Sequence, residues 1–196
     1  MSESKAVFLS YAPQDAEAAR RAVDAAPSNH GSHYSLAQAL FFQKEFQSFR
    51  NSAAQAIALN PMDGSSMAFL GEMLSYAGDW QLGLELSTRA KELNPNHPGW
   101  FWICDFLHAY RQRDYRAASG YALKVNLPGH YGTHVLAAIA YGQLGEKGPA
   151  AKSLQTLLAL RPNIAATIRD DAAKWWDPEY AAHFIDGLRE AGLAVV

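Results

Sequence analysis

Cys104 is the only cysteine in 196 residues. It has no second cysteine with which to form an intramolecular disulfide or a thiolate metal site, so a disulfide framework is excluded and a reducing compartment, the cytoplasm, is expected. Charge is also scarce. Only 18% of residues are charged and the formal net charge is −2, which creates no field able to gather nucleic acid or an anionic membrane. Long apolar runs are missing: Val7-Phe8-Leu9 follows a single lysine and is far shorter than a signal-peptide core or a membrane span. GxxxxGKS/T, GxGxxG and GxSxG do not occur, so no segment reads as a phosphate cradle or a nucleophile elbow. The aromatic residues are not interleaved with Lys and Arg, as base-stacking surfaces are.

What is present is a period. The segments RRAVDAAP, AQAIALNP, TRAKELNP, YALKVNLP and QTLLALRP each close an Ala/Leu-rich stretch with a proline, at Pro27, Pro61, Pro95, Pro128 and Pro162. The separations are 34, 34, 33 and 34 residues, the mark of stacked helical hairpins. Each proline stands where it stops a helix, because it lacks an N–H and clashes with the preceding turn. Within each period the pattern predicts two amphipathic helices joined by a short polar turn: QKEF, AGDW, QRDY and QLGE, where Gly78, Asp79, Asp114 and Gly145 suit a tight bend. Leu70, Gly71 and Leu74, and later Ala137, Ala138 and Tyr141, place a small residue among large ones, which lets one helix lie close to its partner.

These residues resemble the tetratricopeptide repeat (TPR). The matching positions are Leu36, Ala37, Leu40, Ala53, Ala56 and Pro61 in one unit; Leu70, Gly71, Leu74, Ala90 and Pro95 in the next; Ala138, Tyr141, Ala150, Leu154 and Pro162 in the last. The resemblance covers residues 14 to 162. It implies an all-α fold, a right-handed superhelix of stacked antiparallel helical hairpins, divided into an N-terminal segment with an incomplete leading repeat (1–27), four repeats (28–162) and C-terminal capping helices (163–196). The unit from Asn96 to Pro128 departs from the pattern, with one extra residue before its DY turn and with Trp100, Phe101, Trp102 and Phe106 where smaller residues are usual.

In the last segment Ile164, Ile168, Ala172 and Trp175 make one helical stripe, and Tyr180, Phe184, Ile185 and Leu188 make another. Asp177 before Pro178 reads as an N-cap with proline at the first helical position, and Gly192 before Leu193 as the matching C-terminal cap. A terminal pair of helices covers the apolar end that a repeat array exposes. The ending KWWDPEY to HFIDGLREAGL is similar to C-terminal tails of bacterial multidomain signalling proteins, in which repeats follow a cyclase, TIR or DNA-binding effector. At the other end, KAVFLSYAPQD is similar to the opening strand of a TIR domain, but only one strand's worth of sequence precedes the first repeat proline. Ala19, Ala22 and Pro27 instead lie 34 residues before Ala53, Ala56 and Pro61, in repeat register. Val7, Phe8, Leu9 and Tyr11 are therefore expected to fold over the first repeat or to pack on a second copy, as a homodimer.

Candidate chemistry is thin. His130 and His134, and His30 with His33, lack an accompanying carboxylate or cysteine at ligand spacing; capping or solvent roles are expected, and no metal or other cofactor. Cys104, Asp105 and His108 share a helix, but the aromatic surroundings predict a buried structural thiol. Asp170-Asp171 reads as a solvated face, and Trp100-Trp102 and Trp175-Trp176 as packing anchors.

The resemblance implies that first helices line an inner groove holding a protein or peptide partner. The inward residues are then Tyr34, Gln38 and Phe41; Ala68, Glu72, Ser75 and Tyr76; Ile103, Leu107 and Tyr110; and Val135, Ile139 and Gln143. TPR modules that grip a chaperone's C-terminal carboxylate project Lys, Arg and Asn here, and that clamp is missing. The expected function is a non-enzymatic interaction scaffold. The alternative is a regulatory or dimerisation fragment of a cyclase- or TIR-linked signalling protein.

Overall fold

The computed structural model describes residues 13–195, which fold as eleven α-helices with no strand among them. Val7, Phe8, Leu9 and Tyr11 lie outside the described residues. The chain divides into two compact units between Pro61 and Met62.

The first unit holds α1 (Pro13–Ala25), α2 (His30–Phe42) and α3 (Phe46–Leu59). Asn29 caps α2 by accepting from the Ser32 N–H at 3.0 Å. Ala16 and Ala19 of α1, Leu36, Ala37, Leu40 and Phe41 of α2, and Phe49, Ala53 and Ala56 of α3 are buried. Small residues on α1 and α3 leave room for the aromatic residues between them, and Phe41 packs edge-on against Phe49 with ring centroids 5.5 Å apart. Arg20 on α1 reaches Glu45 in the turn after α2 at 3.0 Å.

The second unit comprises α4 (Gly64–Tyr76), α5 (Trp80–Leu93), a 3-10 turn (Gly99–Trp102), α6 (Ile103–Arg111), α7 (Tyr115–Val125), α8 (Tyr131–Gln143), α9 (Lys147–Leu160), α10 (Ile164–Trp175) and α11 (Pro178–Glu190). The pairs α4/α5, α6/α7 and α8/α9 are antiparallel hairpins, each packing on the next. The repeat prolines act as predicted: α1, α3, α5 and α9 each end two residues before Pro27, Pro61, Pro95 and Pro162.

The hairpins α2/α3, α4/α5, α6/α7 and α8/α9 each turn on one residue in the left-handed region: Lys44 (φ 61°), Gly78 (φ 94°), Arg113 (φ 62°) and Gly145 (φ 70°). The residue after each donates its N–H back across the helix end, Glu45 to Leu40, Asp79 to Leu74, Asp114 to Ala109 and Glu146 to Tyr141, at 2.8 to 3.0 Å. This closure satisfies carbonyls that the helix end would strand.

The departing unit shows how its extra residue is absorbed. Eighteen residues separate Pro95 from Arg113, against seventeen between Pro61 and Gly78. The excess is taken up where Gly99–Trp102 tightens into a 3-10 turn ahead of α6. Gly99 is required there, because a Cβ would lie 2.1 Å from the Val125 carbonyl oxygen. The following helix, α7, is shortened to 11 residues and ends at Asn126 in a left-handed conformation.

Candidate functional site

The site is built on the first helices of the second unit and on what lies across them. α10 starts beside the first turn of α8. There Arg161 pairs with Asp171, donates to Thr167 Oγ1 at 2.8 Å, and places its guanidinium over the Tyr131 ring at 4.9 Å. Asp171 is thus mostly buried in an ion pair, not on the solvated face that its acidic sequence suggested. The far end of α10 reaches the end of α4: Trp175 and Trp176 both pack on Tyr76, at 5.5 and 5.8 Å between centroids.

α11 then returns. Asp177 caps it, accepting from the Glu179 and Tyr180 N–H groups at 2.9 Å, with Pro178 in the first turn. Tyr180 packs on Trp80 and Tyr110 and directs its hydroxyl at the Leu107 carbonyl. His183 stacks on Tyr110 at 4.5 Å, its carbonyl accepts from the Tyr110 hydroxyl at 3.1 Å, and its Nε2 lies 2.9 Å from the Tyr115 hydroxyl. Further along, a Cβ on Gly187 would meet Tyr110 Oη at 2.2 Å and Ile139 Cβ at 2.9 Å. A Cβ on Gly142 would meet the Gly187 carbonyl at 2.5 Å. From Trp176 to Gly187 the chain therefore passes α4, α6 and α8 in turn, with glycine at its closest approach. The C-terminal hairpin caps the repeats across this shared face.

This placement decides the state of the second unit's inward residues. Ala68, Tyr76, Leu107, Tyr110, Val135 and Ile139 are buried, and Tyr76, Leu107, Tyr110 and Ile139 meet the α10–α11 hairpin directly. Glu72, Ile103 and Gln143 are partly exposed. In the first unit Tyr34 is half-buried and stacks on His30, and Gln38 is buried. Phe41 has no exposed surface. It faces α3 among Phe42, Phe46 and Phe49, so it is a core residue and is not open to a partner. Trp176 and Tyr180 were expected to pack, though not on this face, and His183, Gly142 and Gly187 make contacts here that sequence reasoning did not single out. The one available signal was glycine inside a helical pattern, which marks close backbone approach.

The titratable groups are tuned for structure. Burial pushes the Glu72 carboxyl up to about 7, partly offset by the hydrogen bond it accepts from the Tyr76 hydroxyl at 2.5 Å. Burial likewise pushes the Cys104 thiol up to about 12, away from the thiolate a nucleophile needs. Its sulfur lies 3.3 Å from Ser75 Oγ. Its neighbour Asp105 is held by Lys91 and by the Ser87 hydroxyl, and His108 bonds Gln112, so Cys104, Asp105 and His108 do not act as a unit. His130 caps α8, its Nδ1 accepting from the Gly132 N–H, and the ring nitrogens of His33 and His134 each lie 2.9 Å from a repeat-proline carbonyl, Pro27 and Pro128. Among the described residues no three His, Cys, Asp or Glu side chains converge on a point that could hold a metal ion, and no helix is long and apolar enough to cross a membrane. A half-open cleft of about 660 Å³ lies beside α11, lined by Arg111, Arg113 and Arg189 and by Asp177, Glu179 and Asp186. Its charges are of both signs, and Arg189 is paired with Asp186.

A solved structure decides the architecture. The Cut9–Hcn1 hetero-tetramer of the APC/C is similar over 91% of this chain, with a TM-score of 0.69 and 17% sequence identity. The fold is an all-α helical repeat of the TPR type. The chain spans 40% of the length of the matched chain. No protein-family model and no curated protein matches the sequence.

Proposed function

We propose that this TPR-type chain is a protein-interaction scaffold without catalytic activity of its own. The observation that carries the reading is the pairing of two facts on one surface. The face shared by α4, α6 and α8 presents Tyr76, Leu107, Tyr110 and Ile139, aromatic and aliphatic groups of the kind that anchor protein interfaces. That face also already accommodates a helix, since α11 lies on it. The similar solved structure is itself a hetero-tetramer, which agrees with a role in assembly. Taken unit by unit, the inward residues with exposed surface, Tyr34 in the first and Glu72, Ile103 and Gln143 in the second, are the points at which a protein or peptide partner first touches that unit.

Cross-linking of the full chain in native cell extract, followed by mapping of the linked residues, tests this. Cross-links from a recovered partner are expected on α2, α4, α6 and α8. Links confined to α3, α5, α7 and α9, or a chain that captures no protein, overturn the reading.

The second reading, a regulatory piece of a larger signalling protein, draws on the same feature: a terminal hairpin seated on an interaction face is a means of regulation. A partner recovered as a cyclase or TIR effector distinguishes it.

A further inference from the structure

The contacts of α10 and α11 have the character of a bound ligand. α10 is joined to α9 only through Arg161, Pro162 and Asn163. From there the hairpin crosses back over α8 and α6 to α4 and returns, touching residues that precede it in sequence by 45 (Gly142 to Gly187) to 100 (Tyr76 to Trp176) positions. Its contacts are the types that dominate helix-in-groove recognition: Trp176, Tyr180 and His183 as anchors, and a small residue, Gly187, where the backbones meet. α11 has its own stop signals at both ends, Asp177 with Pro178 and Gly192 (φ 104°), so its bounds are set by its own sequence and not by the surface it covers. The seated hairpin also leaves a donor unsatisfied: the indole Nε1–H of Trp176 is buried without a hydrogen-bond partner.

We propose that the face of α4, α6 and α8 is a helix-binding site whose resident occupant is the chain's own α10–α11 hairpin. The external partner it accepts is an amphipathic helix of the same pattern: an aromatic residue at the place of Tyr180, a flat ring at the place of His183, and glycine or alanine at the place of Gly187. This rests on the scaffold reading and specifies its partner class. The resident helix is tethered and so has a high effective concentration, which a free helix must overcome. Binding in trans is therefore weak until the hairpin lifts.

A fluorescent peptide spanning residues 176–193 serves as the probe, titrated against the full chain and against two variants that weaken the resident helix by different routes. Gly187→Leu drives a side chain into Tyr110 and Ile139. The double variant Trp176→Ala, Tyr180→Ala removes anchors from the hairpin and leaves the receiving face untouched. Both variants are expected to bind the peptide at least tenfold more tightly than the unaltered chain. Adding Tyr110→Ala should cost the opened variants at least tenfold, and a peptide carrying Gly187→Leu should not bind. Equal binding to all three chains overturns the proposal, as does failure of the helical double variant to bind the peptide. Because the probe comes from this chain, a positive result stands even if no cellular partner is recovered, and a negative one leaves the scaffold reading to its own test.

Discussion

Replacing Gly83 by alanine should destabilise the second unit, although the same change in an open helix is stabilising. A Cβ at Gly83 would lie 2.2 Å from Ser75 Oγ and 2.4 Å from the Gly71 carbonyl oxygen, and one on Gly71 would lie 2.7 Å from the Gly83 carbonyl. For the Gly83 methyl group two obstacles are backbone atoms, the Gly71 carbonyl oxygen and the Ser75 nitrogen at 3.1 Å, so no rotamer change relieves them. The third, the Ser75 hydroxyl, is engaged with the Gly71 carbonyl at 3.0 Å and with Cys104. Gly→Ala in an exposed helix gains about 1 kcal/mol from propensity. Overpacking costs roughly 1 to 3 kcal/mol, and a displaced buried hydroxyl adds about 1 to 3 kcal/mol. The net expectation for Gly83→Ala is a loss of about 2 kcal/mol. Gly120 supplies the control: it lies within α7, is exposed, and an added methyl group there would have nothing within 4 Å. Gly120→Ala should gain up to about 1 kcal/mol. Urea unfolding followed by far-ultraviolet circular dichroism measures both. Adding Ser75→Ala to Gly83→Ala should restore part of the loss by clearing the nearest obstacle. If both glycine variants shift stability in the same direction, close packing of α4 on α5 is not what Gly83 provides.

Two further expectations concern a largely desolvated carboxyl and a buried ion pair. Glu72 has its pKa raised from 4.5 to about 7, so its protonated form favours the folded state. Its contribution is full below pH 4.5 and is lost as pH rises through about 7, a change on the order of 3 kcal/mol. Glu72→Gln should flatten the dependence of the urea midpoint on pH across that window, and an unchanged profile refutes the assignment. Lys91 and Asp105 form an ion pair whose side chains are only 13% and 11% exposed. Asp105→Ala strands the ammonium and should cost about 3 to 5 kcal/mol, whereas Lys91→Met with Asp105→Leu should return to within about 1 kcal/mol of the native chain by thermal unfolding. A double variant as unstable as the single one sinks that account.

The period was legible because its signals are local and chemically strict. Pro27, Pro61, Pro95 and Pro162 stop helices wherever they fall, Gly78 and Gly145 mark turns, and Asp177-Pro178 and Gly192 bracket α11 in sequence as they do in structure. Lys44 and Arg113 occupy the same left-handed position as those turn glycines, but nothing in their side chains announces it. The hairpin around them imposes the conformation at a cost of about 1 kcal/mol each. The stripes on α10 and α11 were visible too, and Ile164, Ile168, Ala172, Tyr180, Phe184, Ile185 and Leu188 are all buried. Which surface they cover was not. An amphipathic stripe specifies that a face is buried, not against what, and the choice rests on the fit of Gly187 and His183 to Tyr110, 73 positions before His183. Phe41 was placed on the correct helix, but its ring turns toward α3, a rotation too fine for repeat register to resolve.

The return of α11 across the first helices of the second unit changes how the chain acquires its structure. In a plain array each hairpin meets only its neighbours, so order spreads like a zipper and units can be gained or lost without consequence elsewhere. Here the bond from Tyr110 to His183 spans 73 positions and closes a loop through the second unit. During synthesis the hairpins can assemble one after another as they emerge, but the face of α4, α6 and α8 stays bare until α11 leaves the ribosome. Deleting or duplicating one internal hairpin would also shift every ring that α10 and α11 must meet. The terminal hairpin thus measures the length of the array, and binds in register only when the number of repeats is right.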